Sequence, residues 1–235
     1  MNKNRTDLEQ EGLIPQVVVL RVSNMFMINY NYLVIDNTSS TSIIIDPAWD
    51  MDKIEQAIAE SQTRLQGILL THSHFDHLHL AKPLAAKYNC PIWMSHEEIA
   101  ISNFRAPQLQ AIGVKPWWVG RLKIKPLLTP GHTPGSMCYL IGNNLFSGDT
   151  LFAEGCGLCS DVAAAHTMFE SLKHIGDNVK PNTRIFPGHM YGKPPGQEFS
   201  FVFKNNIYLQ LKNKHDFASY RLRKGQDSSK FFAFS

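Results

Sequence analysis

Thr71-His72-Ser73-His74-Phe75-Asp76-His77 decides the reading of this chain, and it follows directly on the run Gln66-Gly67-Ile68-Leu69-Leu70. A short apolar run of that kind reads as a buried strand. Three imidazoles and a carboxylate therefore fall within six residues, where a strand gives way to a loop. Imidazole and carboxylate are the ligand types that suit zinc, iron and manganese. In extended backbone, side chains two apart lie on one face, so His72 and His74 point the same way. Asp76 and His77 then belong to a turn that can wrap toward a second ion.

Working outward, the composition bounds the rest. The chain has 235 residues, 43% hydrophobic and 18% charged, which describes an ordinary folded protein with enough length for a substantial core. A net charge of +3 is too small to argue for nucleic acid. The charge is uneven, however: Lys204, Lys212, Lys214, Arg221, Arg223, Lys224 and Lys230 face only Asp216 and Asp227 near the C-terminus. Such a segment is either a solvated basic tail or a surface that receives an acidic partner. Residues 1–12 are polar, without the apolar centre of a signal peptide. No apolar run reaches the ~18 residues that a membrane span needs. Cys90, Cys138, Cys156 and Cys159 form no secreted disulfide framework in a chain this long. The expectation is a cytoplasmic protein that binds neither membrane nor nucleic acid.

Apolar and β-branched residues at 17–22, 32–36 and 43–45 read as strands, with a hairpin at the polar turn 37–42. Asp50 is a candidate cap for a helix to about Glu60. After the histidine loop come a helix at 80–88, a strand at 91–94 and a helix whose Ser95 and Glu98 spell a capping box. Residues 103–121, with Pro107, Pro116, Trp117 and Trp118, read as irregular. Strands follow at 122–128, 137–141 and 144–146, then a helix at 163–175, a strand at 184–186 and a helical end from Gly196. Strands lead in each half and helices interleave, which predicts an α/β fold of two packed sheets with helices outside, a four-layer αββα sandwich. The whole chain, 1–235, reads as one domain, with 196–235 as a helical and basic C-terminal extension.

Three later turns each offer one further ligand after a strand. Thr129-Pro130-Gly131-His132-Thr133-Pro134-Gly135-Ser136 presents His132 from a rigid Pro/Gly frame. Ser147-Gly148-Asp149-Thr150 sets a carboxylate beside a glycine that permits close backbone approach. Phe186-Pro187-Gly188-His189 is the third. Cys156-Gly157-Leu158-Cys159 has no second ligand pair to complete a structural zinc site and reads as loop packing.

The HxHxDH element followed by these three turns, in this order over roughly residues 15–195, strongly resembles the metallo-β-lactamase superfamily. The resemblance implies an αββα sandwich with a two-metal site at one edge, holding two zinc ions, with iron or manganese as alternatives. It implies that His72, His74 and His132 hold one ion, that Asp76, His77 and His189 hold the other, and that Asp149 bridges them. Asp46 matches an acidic residue that supports the ligands from behind, and His79, beyond the motif, is no ligand. A water shared by two cations loses its proton near neutral pH, so hydrolysis needs no serine or cysteine nucleophile. Asp76 and Asp149 would border that water.

Asp149 in place of a cysteine, and the lack of an export signal, point away from antibiotic hydrolysis. Gly148-Asp149-Thr150-Leu151-Phe152 with Gly155-Cys156-Gly157 looks like the glyoxalase II branch, and Tyr191 matches a substrate-contacting tyrosine there. Leu158 stands where that branch carries a basic glutathione contact. The segment from Leu151 to Cys159, with Asn206-Ile207-Tyr208-Leu209, is similar to glyoxalase II-like hydrolases of bacterial polyketide biosynthesis clusters. That similarity implies a thioesterase acting on acyl groups, with acyl carrier protein as the partner for the basic C-terminal segment. Hydrolysis of acyl-glutathione and an iron-dependent persulfide dioxygenase are the alternatives.

Overall fold

The structure is a computed structural model and describes residues 14–25 and 27–223. The first sheet follows chain order: β1 (Gln16–Asn24), β2 (Met27–Asp36), β3 (Thr41–Ile45), β4 (Arg64–Leu69), β5 (Ile92–Ser95) and β6 (Leu109–Ile112). Its first three strands pair antiparallel and the last three are added in parallel. Parallel neighbours need crossovers, which are helices here. They are α1 (Met51–Ser61), then α2 (Phe75–Leu78) with α3 (Ala81–Tyr88), then α4 (His96–Ile101). Asp50 caps α1 by accepting from the Lys53 amide, as its position foretells.

The second sheet runs β7 (Trp117–Val119), β8 (Leu122–Leu128), β9 (Met137–Ile141), β10 (Asn144–Gly148), β13 (Arg184–Pro187) and β14 (Gln197–Glu198) across its width. A small ribbon of β11 (Leu151–Phe152) and β12 (Gly155–Cys156) stands beside it. The parallel pair β10 and β13 is linked through α5 (Val162–Asn178). The chain then closes with α6 (Phe199–Asn205), α7 (Ile207–Gln210) and α8 (Lys214–Arg221).

Alternation along the strands builds the layers. In β2, Tyr32 and Val34 face the second sheet, and with Ile43, Ile45 and Leu69 they meet Ile124, Tyr139, Phe146 and Phe186. Leu33 and Ile35 point the other way, onto Ile54, Ile58, Leu84 and Ala85 of the outer helices. On the far side Leu127, Cys138, Leu145 and Ile185 pack against Met168, Leu172, Ile175 and Phe217. A sheet buried on both faces has apolar residues at consecutive positions, which is why Ile43-Ile44-Ile45 is fully buried. Three cores between four layers give the αββα sandwich expected.

The irregular reading of 103–121 is corrected, because β6 and β7 lie within it. Both are short edge strands paired on one side only, so neither develops the apolar run that announces a central strand. No helix among the described residues is long and apolar enough to cross a membrane.

Candidate metal centre

The strand order sends every candidate ligand to one edge. Asp46 follows β3 directly, residues 72–77 follow β4, His132 lies between β8 and β9, Asp149 follows β10 and His189 follows β13. Because β3 and β4 are parallel, as are β10 and β13, these chain ends emerge together.

Asp46 organises the first sheet's share. Its φ is +49°, a left-handed conformation uncommon for a residue with a side chain. It is held there by a bond from its N–H to the Leu69 carbonyl at 3.0 Å. Its carboxylate accepts from the Thr71 amide at 2.8 Å, from Thr71 Oγ1 at 2.6 Å and from His77 Nδ1 at 2.9 Å. Strained backbone of this kind persists where the surroundings over-determine it.

The acceptors behind the rings fix their tautomers. Thr71 Oγ1 directs its hydrogen to Asp46, so it accepts from His72 Nδ1 at 3.0 Å. His77 Nδ1 donates to Asp46, His132 Nδ1 to the Leu158 carbonyl at 2.9 Å, and His189 Nδ1 to the Ile28 carbonyl at 2.8 Å. In its neutral form each ring then carries a bare Nε2, and all four of these atoms point inward. His72 Nε2 and His132 Nε2 each lie 3.0 Å from His74 Nδ1. His189 Nε2 lies 3.2 Å from Asp76 Oδ2 and 3.4 Å from His77 Nε2.

Asp149 stands between the two sets. Its Oδ1 is 3.4 Å from His77 Nε2, and its Oδ2 is 3.6 Å from His132 Nε2 and 3.5 Å from His189 Nε2. Oδ1 is buried without a hydrogen bond, which is costly unless something else satisfies it. Close approach here depends on glycine. A Cβ on Gly148 (φ +48°) would sit 2.3 Å from Thr71 Oγ1, and one on Gly188 would sit 2.4 Å from His77 Cε1.

The electrostatics ask for positive charge. Burial, reinforced by the neighbouring imidazoles His77, His132 and His74, drives His72 well below its ordinary value and keeps it neutral. Burial opposes charge on His77 as well, but Asp149, Asp46 and Asp76 together push it up to about 10. Burial would raise Asp149, yet His189, His77 and His132 hold it below the usual carboxylate value. Lone pairs facing lone pairs, an orphaned carboxylate oxygen and a demand for cationic charge together fit divalent metal. His72, His74 and His132 form one group able to hold an ion, and Asp76, His77 and His189 form another. Asp46, His72 and His77 also converge, but the Asp46 oxygens are already engaged with Thr71 and His77.

Some participants were not foreseen. Asn29 donates to Asp76 Oδ2 at 2.9 Å and accepts from Trp49 Nε1 at 2.8 Å. Asn31 donates to the Asp46 carbonyl at 2.5 Å and accepts from the Ala48 amide at 3.1 Å. Two asparagines at alternate positions of an otherwise apolar strand were the available signal. His79 accepts from the Trp49 amide at 3.3 Å and stays outside the cluster, as expected.

A cavity of about 320 Å³ opens onto the cluster, walled by Phe152, Leu158, Tyr191, Tyr208, Arg221 and Arg223. Burial, then Asp149 and Asp76, push the Tyr191 phenol up to about 12, so it remains an O–H donor. The basic-tail reading is corrected at Arg221. That side chain is 3% exposed, and its Nε donates to the Gly157 carbonyl at 2.8 Å. A guanidinium from α8 therefore reaches the Gly-Cys-Gly segment beside which Leu158 offers no charge. Lys224 and Lys230 lie outside the described residues. Burial raises both Cys156 and Cys159, the latter to about 11, in keeping with packing thiols.

A family model described as "Metallo-beta-lactamase superfamily" matches residues 27–189, from β2 to the last candidate ligand. The chain belongs to the metallo-beta-lactamase superfamily. Within the superfamily it is 44% identical over 200 residues to the "Probable polyketide biosynthesis zinc-dependent hydrolase BaeB" of Bacillus velezensis, covering 84% of this chain and 89% of that protein. It is 40% identical over 200 residues to PksB of Bacillus subtilis, which bears the same description, again covering 84% and 89%. Among solved structures, a Staphylococcus aureus metallo-beta-lactamase superposes with a TM-score of 0.81 at 24% identity, covering 93% of this chain and 70% of that one.

Proposed function

We propose that this protein is a zinc-dependent hydrolase of acyl thioesters, using two ions and acting on carrier-bound acyl groups in polyketide biosynthesis. The observation that carries the reading is Asp149, whose two oxygens face the two ligand groups from between them, Oδ1 buried without a hydrogen bond. His72, His74 and His132 would hold one zinc, Asp76, His77 and His189 the second, and Asp149 both. Ions so held supply Lewis acidity toward a carbonyl oxygen and make a water acidic enough to lose its proton near neutral pH.

The chain's own residues do the rest. Asp76 and Asp149 border the reacting water as ionised carboxylates and take part in moving its proton. Asn29 keeps Asp76 turned toward the cluster. Tyr191 offers a hydrogen-bond donor on the cavity wall. Phe152, Leu158 and Tyr208 present apolar surface suited to an acyl chain and exclude water beside the carbonyl. A thiol ionises with a pKa of about 8.5, so the leaving group departs without a strong general acid.

The two Bacillus relatives' descriptions support the zinc and the polyketide setting. Carrier-protein docking is supported by Lys204, Lys212, Lys214 and Arg223, which are exposed along the C-terminal segment, Arg223 on the cavity wall itself. The test is a panel of acyl-carrier-protein, acyl-coenzyme A and acyl-glutathione thioesters at defined zinc loading. Thiol release that is fastest from carrier protein, vanishes on chelation and returns with zinc is expected. Release by the metal-free protein at the full rate, or from none of the thioesters, overturns the proposal.

A further inference from the structure

Glu98 has no solvent exposure. A buried carboxylate is stable only if its oxygens are filled by donors, and here four donors fill them. Oε1 accepts from the Ser73 amide at 2.8 Å and from Ser73 Oγ at 2.6 Å. Oε2 accepts from Thr133 Oγ1 at 2.7 Å and from the Gly135 amide at 3.1 Å. The Ser95-x-x-Glu98 spacing predicts that this side chain turns back to the start of its own helix as half of a capping box. Ser95 does cap α4 by accepting from the Glu98 amide at 3.0 Å. The Glu98 side chain instead leaves the helix and divides its oxygens between two loops.

The division is what matters. Ser73 separates His72 from His74, and Thr133 follows His132. One oxygen therefore grips the loop from the first sheet and the other the loop from the second, and those loops carry the three histidines whose ring nitrogens converge. The second loop is braced further, with Thr133 Oγ1 2.6 Å from Ser136 Oγ and Ser95 Oγ donating to the Gly135 carbonyl at 2.6 Å. We propose that Glu98 is a positioning residue that sets the spacing of His132 against His72 and His74, and with it the affinity and geometry of the three-histidine ion site. This rests on the metal reading above.

The conservative variant Glu98→Gln keeps the shape but turns one acceptor oxygen into a donor, facing either the Ser73 or the Gly135 amide. Metal affinity is read by chelator competition, and geometry by the visible spectrum of the cobalt-loaded protein. Glu98→Gln is expected to weaken one of two metal equivalents about 10–100-fold, to alter the cobalt bands, and to leave the other equivalent unchanged. Should Glu98→Gln fold poorly, Thr133→Val removes one of the four bonds at constant volume and is expected to weaken the same equivalent by a smaller factor. Wild-type affinity and spectrum in the folded variants overturn the inference, even if their melting temperature falls. A wild-type protein that binds no metal sinks the hydrolase reading instead, so the two failures are separable.

Discussion

Asp46 illustrates how one carboxylate behind the ligands can govern several in front. It accepts from Thr71 and from His77, and Thr71 in turn orients His72. Asp46→Asn keeps the size but places an amide N–H against one of these donors. The expected result is a 10–100-fold loss of metal affinity, measured by chelator competition, with little change in far-ultraviolet circular dichroism. Asp149→Ala removes the group shared by both sets and is expected to lower turnover by at least 100-fold while releasing about one metal equivalent, about 10–100-fold being the usual cost for mere supporting groups. Full metal content and rate in that variant would falsify its placement between two ions. At this scale the residues that converge were legible because metal chemistry draws on particular residue types, set here on tight turns. Asn29 was not, because its bond to Asp76 spans 47 residues that only the fold brings together. Glu98 misled for a related reason: Ser-x-x-Glu satisfies a local rule, and a tertiary use of the side chain overrode it.

Two elements carry testable charge. The end of β2 places Asp36, itself 0% exposed, under the turn into β3 and against the β7–β8 turn of the second sheet. Burial would raise its carboxyl, but bonds from Ser39 Oγ and from the Arg121 and Thr38 amides hold it below the usual value. A folded-state value below the unfolded one contributes stability that is complete above the unfolded pKa of about 3.9 and is lost as pH falls through the lower, folded value. Asp36→Asn is expected to cost about 1–3 kcal/mol at pH 7 in urea unfolding, and to narrow its deficit progressively below about pH 4. A deficit constant across that range would show that the carboxylate charge plays no part. Helix α8 separates two arginines that look alike in sequence. Arg221→Ala strips the Gly157 carbonyl and Tyr208 of a buried donor, so a loss of about 1–3 kcal/mol is expected. Exposed Arg223→Glu should leave stability nearly unchanged and raise KM for carrier-bound acyl groups but not for small thioesters. Equal effects on both substrates would remove the docking role. A run of basic residues gives no hint of which one turns inward; packing against Tyr208 and the Gly-Cys-Gly turn decides it.

For the whole molecule, the layered architecture was readable because alternation and consecutive burial leave distinct marks, as in Ile43-Ile44-Ile45. The edges were not, since β6 and β7 bury little and carry prolines nearby. The centre joins the sheets: residues 72–77 come from the first, and His132, Asp149 and His189 from the second. Binding to the folded state alone stabilises by about 4 kcal/mol when ligand exceeds its dissociation constant a thousandfold. For a chain of this size about 1 kcal/mol shifts the melting temperature by roughly 2–4 °C. Chelation is thus expected to lower the calorimetric transition by about 8–16 °C, and readdition of zinc to restore it. An unchanged transition would mean that no cation spans the sheets.

The separation of the ligands along the chain has a further consequence, for the order of events during synthesis. His77 and His189 are 112 residues apart. At about 5–20 residues per second, that interval takes a ribosome roughly 6–22 s. Until it ends, the imidazoles of the first loop lack the full set of groups that the second sheet supplies. The full cluster, with Asp149 between its two groups of candidate ligands, comes into being only once β13 has paired beside β10. The complete cage is therefore a property of the finished sandwich and of no shorter segment.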